Sequence, residues 1–391
     1  KDLYDTLGDR YPCFELKGID WKAVGDEFLP RSKDVKTREE FGLLCMELVA
    51  RLEDSHAHLL SGTEQPPRAP LPEWGPGFAC LENDQGRPAV YHLDSGSPAD
   101  QAGVKAGMVV LTVDDCSSLD VIDETMSLYS HWYGYSSKRR LAYDAYRGFH
   151  CRMERDTEIR FTMLDVKGRQ HKFTLKASIP GHYLPRLPIP IEGIRDSANV
   201  DFKMLEDNIG YIYVRRIKPD LPQMLDQAVG SLKDARGLIV DVRGNSGGGF
   251  DDPALFNFYL GDDHPDPNRP VYKGPMAMLI DARCISAGEG WASWFVANKR
   301  ARFFGTATSG ASARKIEYTI TNGLYKVRLP VKPYRGYLNR FIERRGLEPD
   351  VPLKQTAADL AAGRDTVLEA ARDYLLDLPD DPNAGSMPGQ D

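Results

Sequence analysis

The most constraining feature of the sequence is a run of six residues in the second half of the chain, GLIVDV at 237–242. The run does not alternate between apolar and polar residues as a half-exposed strand would. It therefore predicts a strand that is covered on both faces, as in a parallel or mixed sheet. Predicted strands at 209–214 and 276–280 and predicted helices at 221–232 and 287–298 alternate with it. This order of elements predicts a multidomain α/β (α+β) protein whose core spans residues 195–378.

Length and charge narrow the class of protein. The chain has 391 residues, which corresponds to about two or three domains at roughly 150 residues each. The 50 basic residues minus the 57 acidic residues give a net charge of −7. General nucleic-acid binders usually carry a basic surface, so we expect no nucleic-acid partner. No apolar run reaches the roughly 20 residues of a membrane span, so we expect no integral membrane span either.

The regions outside the core have different patterns. Residues 1–70 predict an N-terminal helical region, because apolar residues between 41 and 52 recur at helical spacing. Residues 71–180 predict a β-rich domain of short strands, and residues 379–391, rich in Asp, Pro and Gly, predict a disordered tail. The Tyr- and Arg-rich tract at 128–155 has the composition of a nucleic-acid-binding segment. In an acidic chain we favour the other interpretation, an amphipathic helix packed on a neighbouring domain.

The cysteines and the chain start leave two questions open. The six cysteines lie far apart without a C-x-x-C pair, so neither a metal cluster nor a thioredoxin-like site is predicted. We expect no metal and no cofactor. Whether any cysteines form disulfides depends on the compartment. The chain begins with Lys1, which is compatible with a removed signal peptide or a trimmed chain and decides between neither.

Two serines lie in contexts that are typical of nucleophiles, and Ser246 is the first. It lies in GNSGG at 244–248, which matches the G-x-S-x-G nucleophile elbow of α/β-hydrolases. That fold needs its histidine well downstream, but the only histidine after Ser246 is His264, 18 residues on (264 − 246). No room remains for the intervening strands. We therefore interpret the segment as a glycine-rich turn with bare backbone N–H groups.

The second serine, Ser286, lies between a buried strand and a predicted helix. With Glu289 it forms the S-x-x-E pattern of a capping box, and from the pattern alone capping is the favoured role. A serine at a helix N-terminus also has free N–H groups beside it and a helix dipole that favours an oxyanion. A nucleophilic role therefore stays open.

The β-rich region resembles a PDZ domain. The resemblance rests on GPGF at 75–78, SGSPA at 95–99 and AGVKAG at 102–107. It implies that the domain adds a peptide as an extra strand and holds the C-terminal carboxylate of that peptide with backbone N–H groups near Gly77 and Phe78. Met108 departs from the pattern, because such sequences usually have Asp after this last glycine.

Five further motifs occur in order along the chain: NIGYI at 208–212, DVRGNSGG at 241–248, SAGE at 286–289, GTATSG at 305–310 and GLEPDV at 346–351. Together with the PDZ-like block, they resemble the C-terminal processing (tail-specific) serine peptidases over residues 11–376. The resemblance implies a peptidase core of the crotonase/ClpP-like type, with Ser286 as the nucleophile. It also implies an oxyanion hole formed by the turn at Gly247 and Gly248 and by the N–H of Ala287.

The general base is where the chain departs from many of these peptidases. They place a Lys directly after the glycine that ends GTATSG, whereas this chain has Ala311, so a Ser–Lys dyad is not supported unless Lys315 moves in. The tricorn-like branch uses Ser, His and Glu with an additional Ser. Similarity to that branch implies His56 as the base, oriented by Glu343 or by Ser55 acting with it.

These observations predict a serine endopeptidase that cuts peptides or unstructured protein segments. One alternative is a non-catalytic relative of the same fold, either a retinoid-binding-like module or a PDZ scaffold. Another is a metal hydrolase that uses Asp54, His56 and His58, which would share one face of a strand. Substrate specificity and oligomeric state are not predicted. Relatives of such peptidases often work outside the cytoplasm, which favours a periplasmic or secreted location.

Overall fold

A computed structural model describes residues 1–180, 184–261 and 264–379, so the predicted tail lies, except for Pro379, outside the described residues. The N-terminal region is helical up to Ala50, as predicted, and then adds one short strand. Its elements are α1 (Asp2–Arg10), α2 (Phe14–Lys17), α3 (Trp21–Arg31), α4 (Arg38–Ala50) and β1 (His58–Ser61). Helix α4 begins with a complete capping box, in which Thr37 and Glu40 satisfy each other's backbone N–H groups.

The next region is β-rich and encloses two longer helices. Its elements are β2 (Trp74–Gly75), β3 (Phe78–Glu82), β4 (Pro88–Leu93), α5 (Pro98–Gln101), β5 (Val109–Val113), β6 (Cys116–Ser117), α6 (Ser118–Trp132), α7 (Lys138–Gly148), β7 (Glu158–Leu164), β8 (Gln170–Lys176) and β9 (Ile179–Pro180). Strands β3, β4, β5, β7 and β8 form an antiparallel sheet in that order, and β3 is at one edge. The sheet packs against α6 and α7 through its own apolar cluster.

The third region carries the predicted buried strand. Its elements are β10 (Val200–Met204), β11 (Ile209–Val214), α8 (Leu221–Leu232), β12 (Gly237–Asp241), β13 (Met276–Ile280), α9 (Ala287–Ala297), β14 (Arg302–Gly305), β15 (Ala313–Thr319), β16 (Tyr325–Pro333), β17 (Val351–Pro352), α10 (Ala357–Ala361) and α11 (Thr366–Asp377). A six-stranded sheet in the order β10-β11-β12-β13-β14-β17 is parallel except at β10.

Both faces of this six-stranded sheet are covered, as the apolar run at 237–242 predicted. Leu238 and Val240 face α8 and α9, while Ile239 faces α11 on the other side. Every residue of β12 is buried. The carboxyl ends of β12 and β13 lead directly into the GNSGG turn and the Ser286 loop. The two serine motifs therefore lie at the same edge of the sheet, where open α/β folds place their ligands.

A three-stranded sheet joins the two ends of the chain. Strand β1 pairs with β16, which also pairs with β15, and the sheet shares one apolar cluster with the N-terminal helices. Residues 1–70 therefore share their core with residues 313–333. This shared core fixes the segment just before β1, which contains His56, against the C-terminal region.

The Tyr- and Arg-rich tract forms α6 and α7 rather than one helix. Arg139 on α7 donates from Nε to the carbonyl of Thr308 at 2.5 Å and from Nη2 to the carbonyl of Arg345 at 2.5 Å. Ser137 Oγ donates to the carbonyl of Ser309 at 2.5 Å. These contacts place the tract against the core, in agreement with the packed-helix interpretation.

Three smaller findings complete the fold. The core ends in two separate helices, α10 and α11, and Gly363 adopts a left-handed φ of 68° between them. All six cysteines are free thiols. Within the described ranges, no helix is long and apolar enough to cross a membrane.

Candidate active site

Ser286 occupies a strained position at the start of α9. Its backbone has φ 62° and ψ −123°, a region that a residue with a Cβ rarely adopts. Such strain persists only where the surrounding structure enforces it, and it concentrates at functional sites. Here the enforcing contacts are hydrogen bonds from the Ser286 N–H to the Ala311 carbonyl at 2.9 Å and to Glu289 Oε2 at 3.1 Å.

Glu289 holds this loop in place from inside the protein. Its carboxylate is fully buried and accepts hydrogen bonds from the N–H groups of Ser286, Gly310 and Ala311 and from the hydroxyl of Thr308. Burial raises the pKa of Glu289, while these hydrogen bonds lower it. The capping role predicted for Glu289 is therefore present, and it also ties the Ser286 loop to the segment 308–311.

The predicted oxyanion donors are not equivalent. The N–H of Gly247 donates to Asn245 Oδ1 at 2.8 Å, so this donor is already engaged, contrary to the prediction. Within the described residues, the N–H groups of Gly248 and Ala287 have no hydrogen-bond acceptor. A Cβ on Gly247 would lie 2.7 Å from the Cβ of Ser286, so only glycine allows the turn to approach the serine this closely. Gly248 and Ala287 are therefore the available donors beside Ser286.

His56 lies in the turn between α4 and β1 and is almost fully buried. Its N–H donates to Asp54 Oδ1 at 2.9 Å, and its ring Nδ1 lies 3.9 Å from the same oxygen. Burial lowers the pKa of His56 to about 4, against the raising effect of Asp54 and with a further lowering effect of Lys315. The imidazole is therefore neutral at neutral pH, the form that can accept a proton.

Glu343 is buried but does not contact His56, which differs from the predicted orienting role. Its Oε1 lies 2.7 Å from Lys17 Nζ, and its Oε2 accepts from the N–H of Ser312 at 3.2 Å. Burial and the nearby Asp54 raise the pKa of Glu343 to about 7, despite the opposing effect of Lys17. Glu343 forms an ion pair with the buried Lys17 instead. The carboxylate beside the imidazole is that of Asp54.

Ser55 forms a reciprocal pair with Ser136. The N–H of Ser55 donates to Ser136 Oγ at 3.1 Å, and the N–H of Ser136 donates to Ser55 Oγ at 3.0 Å. The side chain of Ser136 in turn hydrogen-bonds Glu343. Ser55 is thus linked to Glu343 through Ser136, a residue of the segment that precedes α7. A joint role of Ser55 and Glu343 requires such a link.

Ser312 connects the nucleophile loop to the Glu343 cluster. Its hydroxyl donates to the carbonyl of Ser286 at 3.3 Å, while its N–H donates to Glu343. Ser286, Glu343 and His56 are therefore brought into one neighbourhood through Ser312, Lys17 and Asp54. Over the described part of the chain, no hydrogen bond joins Ser286 Oγ directly to His56.

The chain is similar in sequence to known peptidases. Residues 208–256 and 258–353 match peptidase family S41, and residues 1–50 match the tricorn protease C1 domain. The chain is 23% identical to tricorn protease homolog 2 of Streptomyces coelicolor over 100% of its own length. It is 23% identical to the chloroplastic carboxyl-terminal-processing peptidase 2 of Arabidopsis thaliana over 91% of its length. These matches support a serine-type peptidase that is similar to family S41 over the matched segments.

The chain covers only part of the length of each of these two relatives. It spans 33% of the length of the Streptomyces protein and 68% of the Arabidopsis protein. Among solved structures, that of mature CPAF superposes with a TM-score of 0.66 at 13% identity, covering 96% of this chain and 95% of CPAF. This likeness concerns the fold, and it extends over nearly the whole chain.

Two alternative assignments of the catalytic residues lose support in this structure. Ser246 Oγ is buried without a hydrogen-bond partner, and His264 Nε2 bonds the carbonyl of Phe256, so these two residues form no dyad. Ala311 is fully buried, and its N–H donates to Glu289. Lys315, four residues on, lies on β15 and acts on His56 only as a nearby positive charge.

The metal-hydrolase alternative also loses support. The second carboxylate oxygen of Asp54 is taken up by Tyr11 OH at 2.9 Å and by Lys17 Nζ at 3.3 Å. An ammonium group beside a ligand oxygen repels a cation. Across the described residues, no group of three His, Cys, Asp or Glu side chains is arranged to hold a metal ion.

The residues predicted to bind a peptide lie at the start of β3, the edge strand of the antiparallel sheet, whose first three residues are buried. Gly77 has φ 89° and packs against Ser97, and Phe78 begins the edge strand β3. The carbonyl of Phe78 is engaged by His150 Nε2 at 2.7 Å, and the two rings stack at 4.4 Å. His150 therefore occupies one of the backbone groups that an added strand would use.

Sequence reasoning missed three residues of this site. Lys17 gave no signal because it stands in a short helix far from every motif. Ser136 and Ser312 are ordinary serines until the fold brings them beside Ser55 and Glu343. Asp54 carried the one usable signal, since it stands two residues before His56, but it was considered only as a metal ligand.

Proposed function

We propose that this chain is a serine endopeptidase of the S41 type that hydrolyses peptides or unstructured protein segments, with Ser286 as nucleophile and His56 as general base. The observation that carries the proposal is the strained backbone of Ser286, next to the unengaged N–H groups of Gly248 and Ala287. Strain of this kind at a strand-to-helix turn presents a serine hydroxyl to a substrate. A capping residue alone would not require it.

The chemistry follows from these positions. His56, neutral because burial lowers its pKa, accepts the proton of Ser286 Oγ as that oxygen attacks the peptide carbonyl carbon. The N–H groups of Gly248 and Ala287 donate to the resulting oxyanion. The imidazolium then protonates the leaving amine, and water hydrolyses the acyl-enzyme by the same steps. Asp54 stabilises the imidazolium between these transfers.

The proposed mechanism requires a hydrogen bond between Ser286 Oγ and His56 when substrate is bound. Catalytic hydrogen bonds are often long in free enzymes and shorten when substrate binds. Ser286 and His56 stand on different elements, which are connected through Ser312, Glu343 and Lys17. Closure onto a substrate would complete the Ser286–His56 bond. The core is assigned by the same proposal to the crotonase/ClpP-like type.

A fluorophosphonate probe tests the function, because it reacts only with activated serines. We expect peptide mapping to find the label on Ser286 alone, and hydrolysis of an unfolded protein substrate to stop as labelling proceeds. Ser246→Ala is the matched control, since Ser246 Oγ is buried and unpartnered, and this variant should label like the wild type. A chain that never labels, or labels only elsewhere, would support a non-catalytic binding module instead.

We also propose that residues 71–180 act as a PDZ-like module that takes the carboxyl terminus of a substrate along β3. The position of β3 at the edge of the sheet and the glycine turn at Gly77 support this role. A bound strand must displace His150 from the Phe78 carbonyl, so His150→Ala should tighten the binding of a labelled peptide with a free carboxylate. Fluorescence anisotropy measures this, and equal binding of an amidated peptide would contradict carboxylate capture.

A further inference from the structure

Lys17 is the residue that connects the two buried carboxylates of the site. It ends the four-residue helix α2, and its side chain is fully buried. Nζ lies 2.7 Å from Glu343 Oε1 and 3.3 Å from Asp54 Oδ2, and it donates to the carbonyl of Glu53 at 2.7 Å. A lysine is almost never buried completely unless it is paired, so these contacts are what keep it there.

The backbone around Lys17 is fastened to the same cluster. The carbonyl of Lys17 accepts from Arg344 Nη1 at 2.6 Å, and Arg344 directly follows Glu343 in the chain. Tyr11, from the segment before α2, donates its hydroxyl to Asp54 Oδ2 at 2.9 Å. Helix α2 is thus held against both carboxylates at once. A shift of Lys17 would therefore move both of them.

Glu343 and Asp54 differ in which of their oxygens face His56. Both oxygens of Glu343 are engaged away from the imidazole, by Lys17 and by the N–H of Ser312. Asp54 directs Oδ2 at Lys17 and Tyr11, which leaves Oδ1 facing the ring and backbone N–H of His56. The two carboxylates and one ammonium group leave one negative charge. That charge stands on the side of the cluster where an imidazolium would form.

We propose that Lys17 is a positioning residue of the peptidase, which holds Glu343 away from His56 and turns Asp54 so that Asp54 Oδ1 supports the imidazolium during proton transfer. The inference rests on the proposed function. It assigns the supporting carboxylate to Asp54, whereas the resemblance to the tricorn-like branch implied Glu343. Lys17 itself touches neither the substrate nor the reacting atoms.

The pKa directions are consistent with this division of roles. Burial alone would raise the pKa of Asp54, but Lys17, His56 and the hydrogen bonds to it lower that pKa overall. Burial raises the pKa of Glu343 to about 7. A proton added to the cluster therefore goes to Glu343 first, and Asp54 keeps its charge beside His56.

Lys17→Met removes the charge and retains most of the side-chain length, so it isolates the ammonium group. We expect kcat to fall about 10- to 100-fold, a part of the roughly 10²- to 10⁴-fold that a positioned base contributes in total, while KM changes by less than about twofold. Lys22→Met is the matched control, since Lys22 forms an exposed pair with Asp26 on α3, and it should leave both constants unchanged. Unchanged kcat in Lys17→Met would overturn the inference.

The pH profile separates positioning from a purely structural role. His56 accepts a proton only when neutral, so kcat/KM of the wild type should fall as the pH drops through about 4, the pKa of His56. The charged groups that act on this ring are Asp54, His58, Lys17 and Lys315. Asp54 raises the pKa of His56 more strongly than Lys17 lowers it. If Lys17 holds Asp54 in place, Lys17→Met should therefore move this acid limb to lower pH, whereas loss of the Lys17 charge alone would move it to higher pH. An acid limb that stays in place or moves to higher pH would count against the inference.

Further variants keep the test decisive if Lys17→Met folds poorly. Lys17→Met leaves the charge of Glu343 without its partner, and adding Glu343→Gln removes that charge. The thermal midpoint of the double variant should therefore recover while its kcat stays low. Full recovery of kcat would overturn positioning through Asp54. Asp54→Asn should cost more in kcat than Glu343→Gln, and the reverse order would return the supporting role to Glu343. If the wild type neither hydrolyses substrate nor labels at Ser286, the proposed function fails instead.

Discussion

Replacing Ser286 with alanine is expected to lower the kcat for peptide hydrolysis by about 10³- to 10⁶-fold, the range seen when a serine peptidase loses its nucleophile. The variant keeps the N–H groups of Gly248 and Ala287 and the pair Asp54–His56, so substrate should still bind. Only the oxygen that forms the acyl bond is lost. Alanine retains a Cβ, and the hydrogen bonds to the Ser286 backbone do not involve the hydroxyl. The loop therefore keeps its conformation.

The assay for this prediction is hydrolysis of an unfolded protein or an internally quenched peptide, followed by progress curves. Thermal midpoints of the variant and the wild type should agree within about 2 °C, which shows that lost activity is not lost folding. Ser246→Ala serves as the control in the neighbouring serine motif and should retain full activity. A Ser286→Ala enzyme with more than a tenth of wild-type activity would remove Ser286 from the proposed mechanism.

The choice between the two serines could be made from the sequence because it depended on counting. A single histidine follows Ser246, and a fold needs a minimum length of chain between nucleophile and base. The structure also excludes His264 as the base for Ser246, but for a different reason, because the ring of His264 is bound to a backbone carbonyl. The mixed sheet could also be predicted from the sequence, because an unbroken apolar strand must be covered on both faces.

The partner of His56 could not be predicted in this way. Glu343 and Lys17 stand 326 residues apart (343 − 17), and nothing in either neighbourhood indicates that they form a pair. A buried ion pair is decided by where two segments pack, which a one-dimensional pattern does not record. The resemblance supplied Glu343 as a member of the site, and the geometry then placed it beside Lys17.

The sequence also could not predict that the N–H of Gly247 is already hydrogen-bonded. The resemblance implied a glycine turn beside the serine, and in the structure a Cβ on Gly247 would lie 2.7 Å from the Cβ of Ser286. Which of its N–H groups stay open depends on the side chain of Asn245, whose Oδ1 turns back to accept from Gly247. Asparagine commonly makes such local turns, but whether it does so here is decided by the buried surroundings.

The second large effect is expected from Arg243, which lies directly before the GNSGG turn. Its guanidinium is almost fully buried and lies 2.6 Å from Asp241 and 2.8 Å from Asp365. Tyr211 OH donates to Asp241 at 2.7 Å, and Asp365 accepts from the first N–H groups of α11. Arg243 thus joins the end of β12 to the start of α11, and its charge offsets two buried carboxylates.

Arg243→Met should lower the free energy of unfolding by about 3–5 kcal/mol, because removing one partner of a buried ion pair leaves the other charges uncompensated. The loss should be largest near pH 8 and smaller near pH 5. Without Arg243, burial raises the pKa of both aspartates above their unfolded values, so the folded variant takes up protons and regains stability as the pH falls. Urea unfolding at both pH values measures this.

The control is Arg195→Met, which breaks an exposed pair with Asp201 and should cost less than about 1 kcal/mol at either pH. A loss for Arg243→Met as small as the control, or one that grows as the pH falls, would contradict the role assigned to the buried network. If the loss is large as expected, the turn at Gly247 and Gly248 should be disturbed with it, because Arg243 lies directly before the GNSGG segment that contains this turn. Labelling of Ser286 should then slow at urea concentrations that leave the wild type unaffected.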